Sequence, residues 1–198
     1  MFALVESGSI TKMMKGNKGI TIGDNQYPSA IFGAAWTESE RNAIGIYTVE
    51  INETNRKDEE WYINTNISYA FGSGKVTGTY GTATAKAITD ANAKDSDGNE
   101  LDPVVVIEGL KTIKKRIIDN QCAGLLAPSD YMAIKAAEGI AIDSGWKTWR
   151  ASVRTKCNSM QTQIDNAANV DALAALFTYT EQEDKSVTRP LGEFPIKE

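Results

Sequence analysis

Two periods divide the chain. From residue 1 to about 90, apolar residues fall in short runs bounded by turn formers; from about 103 onward they return every three or four positions. The first pattern is that of strands and the second that of helices. FALVE (2–6) and GITIG (19–23) are strand candidates. GDNQYP, with Gly23, Asp24, Asn25 and Pro28, is turn chemistry that lets its extended flanks form a hairpin. In WTESERNAIGI, Thr37 and Glu40 have the spacing of a capping box, so a short helix starts there, and Gly45 is placed to end it. IYTVEI returns to strand. EWYINTNISYAF then alternates, with Trp61, Ile63, Ile67, Tyr69 and Phe71 on one face, expected to be buried, and Asn64, Asn66 and Ser68 on the other. The Gly- and Thr-rich stretch 72–89 reads as a turn, another strand and a thin, solvent-exposed arm.

ANAKDSDGNELDP (91–103) is polar and acidic, and it reads as a linker. Asp95, Asp97, Asn99 and Asp102 group oxygens as a calcium loop does, but the glycine and glutamate positions of an EF-hand are not met. Asp102 and Pro103 then suit an N-cap and a first turn. The spacing predicts a helix over 103–127 with Val106, Leu110, Ile113 and Ile117 as its stripe, widened by Ile107, Ile118, Cys122 and Leu125. Lys111, Lys114, Lys115 and Arg116 make the opposite, solvated face. Ser129 caps a shorter helix ending at Gly139. After an Asp143–Ser144 cap, Trp146, Trp149, Val153, Cys157, Met160 and Ile164 share one stripe, with Lys147, Arg150, Arg154 and Lys156 off it or on its flanks. Asn169 caps a last helix burying Val170, Leu173, Leu176 and Phe177.

The expected architecture is α+β: a β-rich domain over 1–90, an acidic linker over 91–102, and a helical hairpin or small bundle over 103–198 that includes a C-terminal tail. Stripes this long can pair within one chain or between chains. The residues expected to serve an interface are Val106, Leu110, Ile113, Ile117, Trp146, Trp149, Val153, Met160 and Ile164.

Residues 125–177, LLAPSDYMAIKAAEGIAIDSGWKTWRASVRTKCNSMQTQIDNAANVDALAALF, resemble the C-terminal helical region of bacteriophage tail-fibre assembly and tail-associated proteins. The resemblance rests on an ordered series: Leu125-Leu126, then Pro128-Ser129-Asp130-Tyr131, then Trp149-Arg150 through Val153-Arg154, then Val170-Asp171-Ala172-Leu173. It extends over roughly 105–177. YPSAIFGAAWTESERNAIGIYTV (27–49) is similar to a segment near the start of phage tail proteins, with a Tyr-Pro step, a glutamate-rich capped helix and an Ala-Ile-Gly-Ile exit into a strand. The resemblance implies a non-enzymatic role: a virion component near the fibre or baseplate, partnered by other tail proteins and by copies of itself and located in the virion tail after synthesis in the host cytoplasm. The alternative it implies is a chaperone for fibre folding that leaves the mature particle.

Composition narrows the chemistry. The chain has no histidine, which removes the usual general base and the commonest transition-metal ligand. A net charge of −5 argues against an electrostatic grip on nucleic acid, and no run is long and apolar enough for membrane insertion. The segmented N-terminus, interrupted by Glu6, Lys12, Lys15 and Lys18, lacks a signal-peptide pattern, so folding in a cytosol is expected. No metal site or cofactor is expected. Cys122 and Cys157 read as buried free thiols, with a bridge between the two helices or a disulfide to a neighbouring subunit as alternatives. A carboxylate-based glycan hydrolase using pairs among Glu38, Glu40, Asp58, Glu59 and Glu60 is the enzymatic alternative.

Overall fold

A computed structural model describes residues 1–197 of the chain. The fold is α+β, with strands dominating the N-terminal half and helices the C-terminal half. It forms two compact units, Met1–Thr84 and the residues from Ala85 on.

The first unit is built on β1 (Phe2–Glu6), β2 (Ser9–Met14), β5 (Ile46–Asn52), β7 (Ile67–Gly72) and β8 (Lys75–Tyr80), in the sheet order β2-β1-β5-β8-β7. All neighbours are antiparallel except β5 and β8, which run parallel. A bulge between Leu4 and Val5 bends β1. The sheet curls far enough for β2 to come against β7. Phe2 to Val5 are apolar without a break because both faces of this strand are covered. Ala3 and Val5 join Val49 and Val76 on one side, while Leu4 joins Ile20, Ile31 and Ile46 on the other. The second cluster is closed by the hairpin of β3 (Ile20–Ile22) and β4 (Asn25–Tyr27), a 3-10 turn over Ser29–Phe32, and α1 (Glu38–Ala43).

Both arms of the expected capping box exist. The Glu40 amide donates to Thr37 Oγ1 at 3.3 Å, and the Thr37 amide donates to Glu40 Oε2 at 2.7 Å. Gly45 leaves α1 with φ +80°, and a Cβ there would meet the Val5 carbonyl oxygen at 2.6 Å, so no other residue fits.

The single strand expected over 60–71 is two, β6 (Tyr62–Ile63) and β7, separated by Asn64-Thr65-Asn66. The Asn64 side chain explains the break: its amide donates to the Lys57 carbonyl at 2.8 Å and its oxygen accepts from the Lys57 amide at 2.9 Å. Only Trp61 of the expected buried face is deeply covered, and Ile63 is exposed.

The second unit follows β9 (Thr84–Ala85), where the first gives way. It holds the ribbon β10 (Ala91–Asn92) and β11 (Val106–Ile107), the helices α2 (Leu110–Leu126), α3 (Asp130–Ala137), α4 (Ser144–Asn166) and α5 (Val170–Phe177), and a hairpin of β12 (Thr180–Glu181) and β13 (Val187–Thr188). α2 and α4 pack against each other. Asp143 caps α4, accepting from the amides of Gly145 (3.0 Å) and Trp146 (3.2 Å), and Asn169 caps α5, accepting from Ala172 at 2.8 Å.

Two sequence expectations need correction here. The helix expected to start at Pro103 starts at Leu110, because its first amides are claimed by chain outside the helix. Gly109 donates to the Asp90 carboxylate at 2.7 Å, Leu110 to the Ala87 carbonyl at 2.9 Å and Lys111 to the Ile88 carbonyl at 3.1 Å. Stretch 87–90 of the supposed exposed arm therefore satisfies amides that every helix start leaves open. Its approach is so close that a Cβ on Gly109 would lie 2.3 Å from the Thr89 carbonyl carbon. Asp90 is held below the usual carboxylate range, first by the Gly109 amide and then by the Thr112 hydroxyl.

The acidic stretch 91–102 is folded rather than a linker. β10 pairs antiparallel with β11, Ala93 donates to the Val105 carbonyl at 2.7 Å, and Lys94 and Glu100 bridge across the turn. Val106, expected on a helical stripe, therefore sits on a strand.

Candidate functional site

In the second unit most of the expected stripe residues are interior. Leu110 and Ile118 on α2 and Val153, Met160 and Ile164 on α4 are buried by their own chain, as is Leu173 on α5. Val153, Met160 and Ile164 have no exposed surface and Leu110 keeps little, so in this fold the four serve the core of their own unit. Ile113, Trp146 and Trp149 are half-buried, and Ile117 is exposed. Trp146 and Trp149 meet edge to face at 5.5 Å, with Lys197 over the Trp146 ring.

Its spacing puts Arg150 off the apolar stripe or on its flank, yet it is 5% exposed. Nη1 donates to the Leu126 carbonyl at 2.8 Å and to Ser129 Oγ, and Nη2 donates to Asp130 Oδ1 at 2.6 Å. Ser129 in turn donates to the Leu126 carbonyl at 2.9 Å. One guanidinium from α4 thus gathers the turn between α2 and α3, using a fork that a lysine does not have. Ser129, expected as the cap of α3, gives that helix no side-chain cap because its hydroxyl is used here.

The C-terminal tail is tied to the same helix. Trp149 Nε1 donates to the Pro195 carbonyl and Lys156 Nζ to the Leu191 carbonyl, each at 2.9 Å, while Leu191 is fully buried.

Cations of the basic face of α2 find partners within the chain, and one of them is buried. Lys115 pairs with Asp165 at 2.8 Å, Arg116 pairs with Glu108 at 2.7 Å, and Lys114 is buried beneath the Phe177 ring.

Cys122 and Cys157 are free, buried and in contact across α2 and α4. Cys157 Sγ donates to Asp119 Oδ1 at 3.7 Å. Burial, the neighbouring Cys122 and the Asp119 carboxylate together push the Cys157 thiol up to about 12. Of the readings offered for the pair, buried free thiols is the arrangement this fold has, and a disulfide to a neighbouring subunit would require an attacking thiolate to form inside the seam.

Because the folded state holds this proton more tightly than the unfolded chain, whose thiol titrates near 9.0, its stabilisation is complete below that value and is lost as pH rises toward about 12. Urea titrations should show the second unit weakening over that window, and Cys157→Ala should flatten the decline. An unchanged slope in the variant would assign the loss to other groups.

Three of the carboxylates weighed for glycan hydrolysis, Glu40, Asp58 and Glu59, have partners of their own. Glu40 closes the capping box and is held below the usual range, the reverse of what a general acid requires. Asp58 accepts from the Glu60 amide at 2.8 Å, and Glu59 lies 3.5 Å from Arg56. The oxygen-rich loop is likewise closed, as Asp95 accepts from the amides of Asp97 and Asn99, both at 2.9 Å. Among the described residues no group of three or more carboxylate or thiol side chains is arranged to hold a metal, and no helix is long and apolar enough to cross a membrane.

No protein family, curated protein or solved structure compared with the chain matches it.

What the second unit does present is exposed apolar surface in unusual places. Val104, Val105, Val106 and Ile107 are four consecutive residues, each between 49% and 57% exposed. Tyr131, Ile134 and Ile140 form another exposed group around α3, where a shallow cleft of about 330 Å³ runs between Tyr131 and Trp146. Large contiguous apolar patches on a protein surface mark sites of interaction.

Proposed function

We propose that this chain is a non-enzymatic structural protein of a bacteriophage tail, associated with the fibre or baseplate, whose helical unit docks onto neighbouring tail proteins. The observation that carries this reading is the Arg150 contact set. The series on which the tail-protein resemblance rests contains Leu126, Ser129, Asp130 and Arg150, and these four form one hydrogen-bonded knot in the fold. Val153, Val170 and Leu173, from the same series, are buried in the same unit. Residues of the ordered series thus help to pack this unit, which supports the reading. The N-terminal segment behaves alike: Arg41 donates to the carbonyls of Ile31, Gly33 and Trp36, and Ile31 and Ile46 are core residues.

Docking accounts for the exposed apolar residues of the second unit. Association of copies through the α2 and α4 stripes has little surface left to use, so contact between copies falls on other faces. Mass spectrometry of purified particles is expected to find the chain in the virion tail at a fixed ratio to fibre or baseplate subunits. Its presence in infected lysate bound to fibre protein, with none in the particle, would replace this reading with that of an assembly chaperone. Its absence from both would remove the tail assignment.

A further inference from the structure

We propose that the β10–β11 ribbon is a docking edge that takes up, as an added strand, an extended apolar segment flanked by lysine or arginine from another protein. The inference concerns the surface alone and does not require the tail assignment.

Three observations lead to it. First, Val104-Val105-Val106-Ile107 is an exposed apolar run whose last two residues form β11 and point to opposite faces, so the strand itself is apolar on both sides. That pattern belongs to a strand inside a sheet covered on both faces, whereas here it lies in a ribbon of only two strands. Second, the ribbon is held from behind. Its last residues lead directly into Gly109 and the amide contacts with 87–90 that start α2, so the edge is preorganised rather than a loose arm. Third, the ribbon and its turn, residues 91–107, carry Asp95, Asp97, Glu100 and Asp102 against Lys94 alone, a balance of −3, while Asp90 and Glu108 at its ends are engaged by Gly109 and Arg116.

The charge decides the occupant. Two copies joined edge to edge would bring two such acidic rims together, and like charges facing each other across an interface disfavour pairing. A basic, apolar strand meets the rim with opposite charge and offers backbone groups to the open edge, which is the arrangement of β-strand addition.

The test uses the full chain and a fluorescein-labelled peptide of alternating valine and lysine, with a glutamate-for-lysine peptide and an N-methylated lysine peptide as controls. In fluorescence anisotropy the lysine peptide should bind, weaken at high salt, and bind about tenfold or more weakly to Val106→Asp. Because Val106 is exposed, this variant should keep the wild-type circular dichroism. Ile107→Thr, which keeps a β-branched residue, should give a smaller loss in the same direction. The glutamate peptide should not bind, and the N-methylated peptide should bind far less because it cannot complete the ladder. Equal binding of the lysine and glutamate peptides, undiminished binding of the N-methylated one, or no binding at all overturns the proposal. So does light scattering that shows a dimer abolished by Val106→Asp, which would assign the edge to a second copy.

Discussion

Met160→Ala is expected to destabilise the second unit by about 2–5 kcal/mol, the range for removing a large buried side chain and leaving a cavity behind. Met160 has no exposed surface and lies on α4 between Val153 and Ile164, which are also fully buried. The loss adds the transfer free energy of the missing atoms to the contacts forfeited by their neighbours, and a seam between two packed helices closes such a void only in part. The signal is separable. Four of the five α-helices, all but the six-residue α1, lie in the second unit, so ellipticity at the helical band follows that unit in a urea titration. The midpoint should fall with little change in slope. An unaltered midpoint would mean that Met160 is not interior and that the stripe faces outward after all.

The second large effect is expected at Arg150. Arg150→Ala should cost about 2–4 kcal/mol, since it leaves the Leu126 carbonyl without its charged donor and opens space where the stem packed. Arg150→Lys should recover only part of this, because an ammonium cannot reproduce the planar fork that serves Leu126, Ser129 and Asp130 together. The ion pair is the smaller share. Asp130 is 60% exposed at its side chain, so Asp130→Ala should cost less than about 1 kcal/mol. Should Asp130→Ala prove as damaging as Arg150→Ala, the ion pair and not the turn contacts would be what holds the knot.

Arg150 also shows where periodicity stops informing. On a helical projection its cationic head is assigned to the surface, but a buried guanidinium is acceptable wherever carbonyl and hydroxyl acceptors surround it. Those acceptors come from residues more than twenty positions away. Lys114 repeats the lesson, since it belongs to a run of cations and yet lies under Phe177. The late start of α2 has the same origin: an aspartate followed by proline is good local start chemistry, but the amides of Gly109, Leu110 and Lys111 found partners in 87–90. The docking edge was hidden for a related reason. Four apolar residues in a row read as helix core when a helix is expected to cover them, and only the ribbon leaves them in solvent.

The elements whose causes are local could be read from residue spacing. These are the capping box of α1 and the glycine that ends it, the caps of α4 and α5, the α4 stripe and the change from strand to helix along the chain. Each depends on residues within one or two turns of each other, so spacing alone carries the information. Tertiary structure decided which cations are buried, where α2 begins, that two cysteines meet, and that the acidic stretch folds into a ribbon with an open edge. Each of these depends on donors and acceptors brought together from distant parts of the chain, and no local period records such pairings.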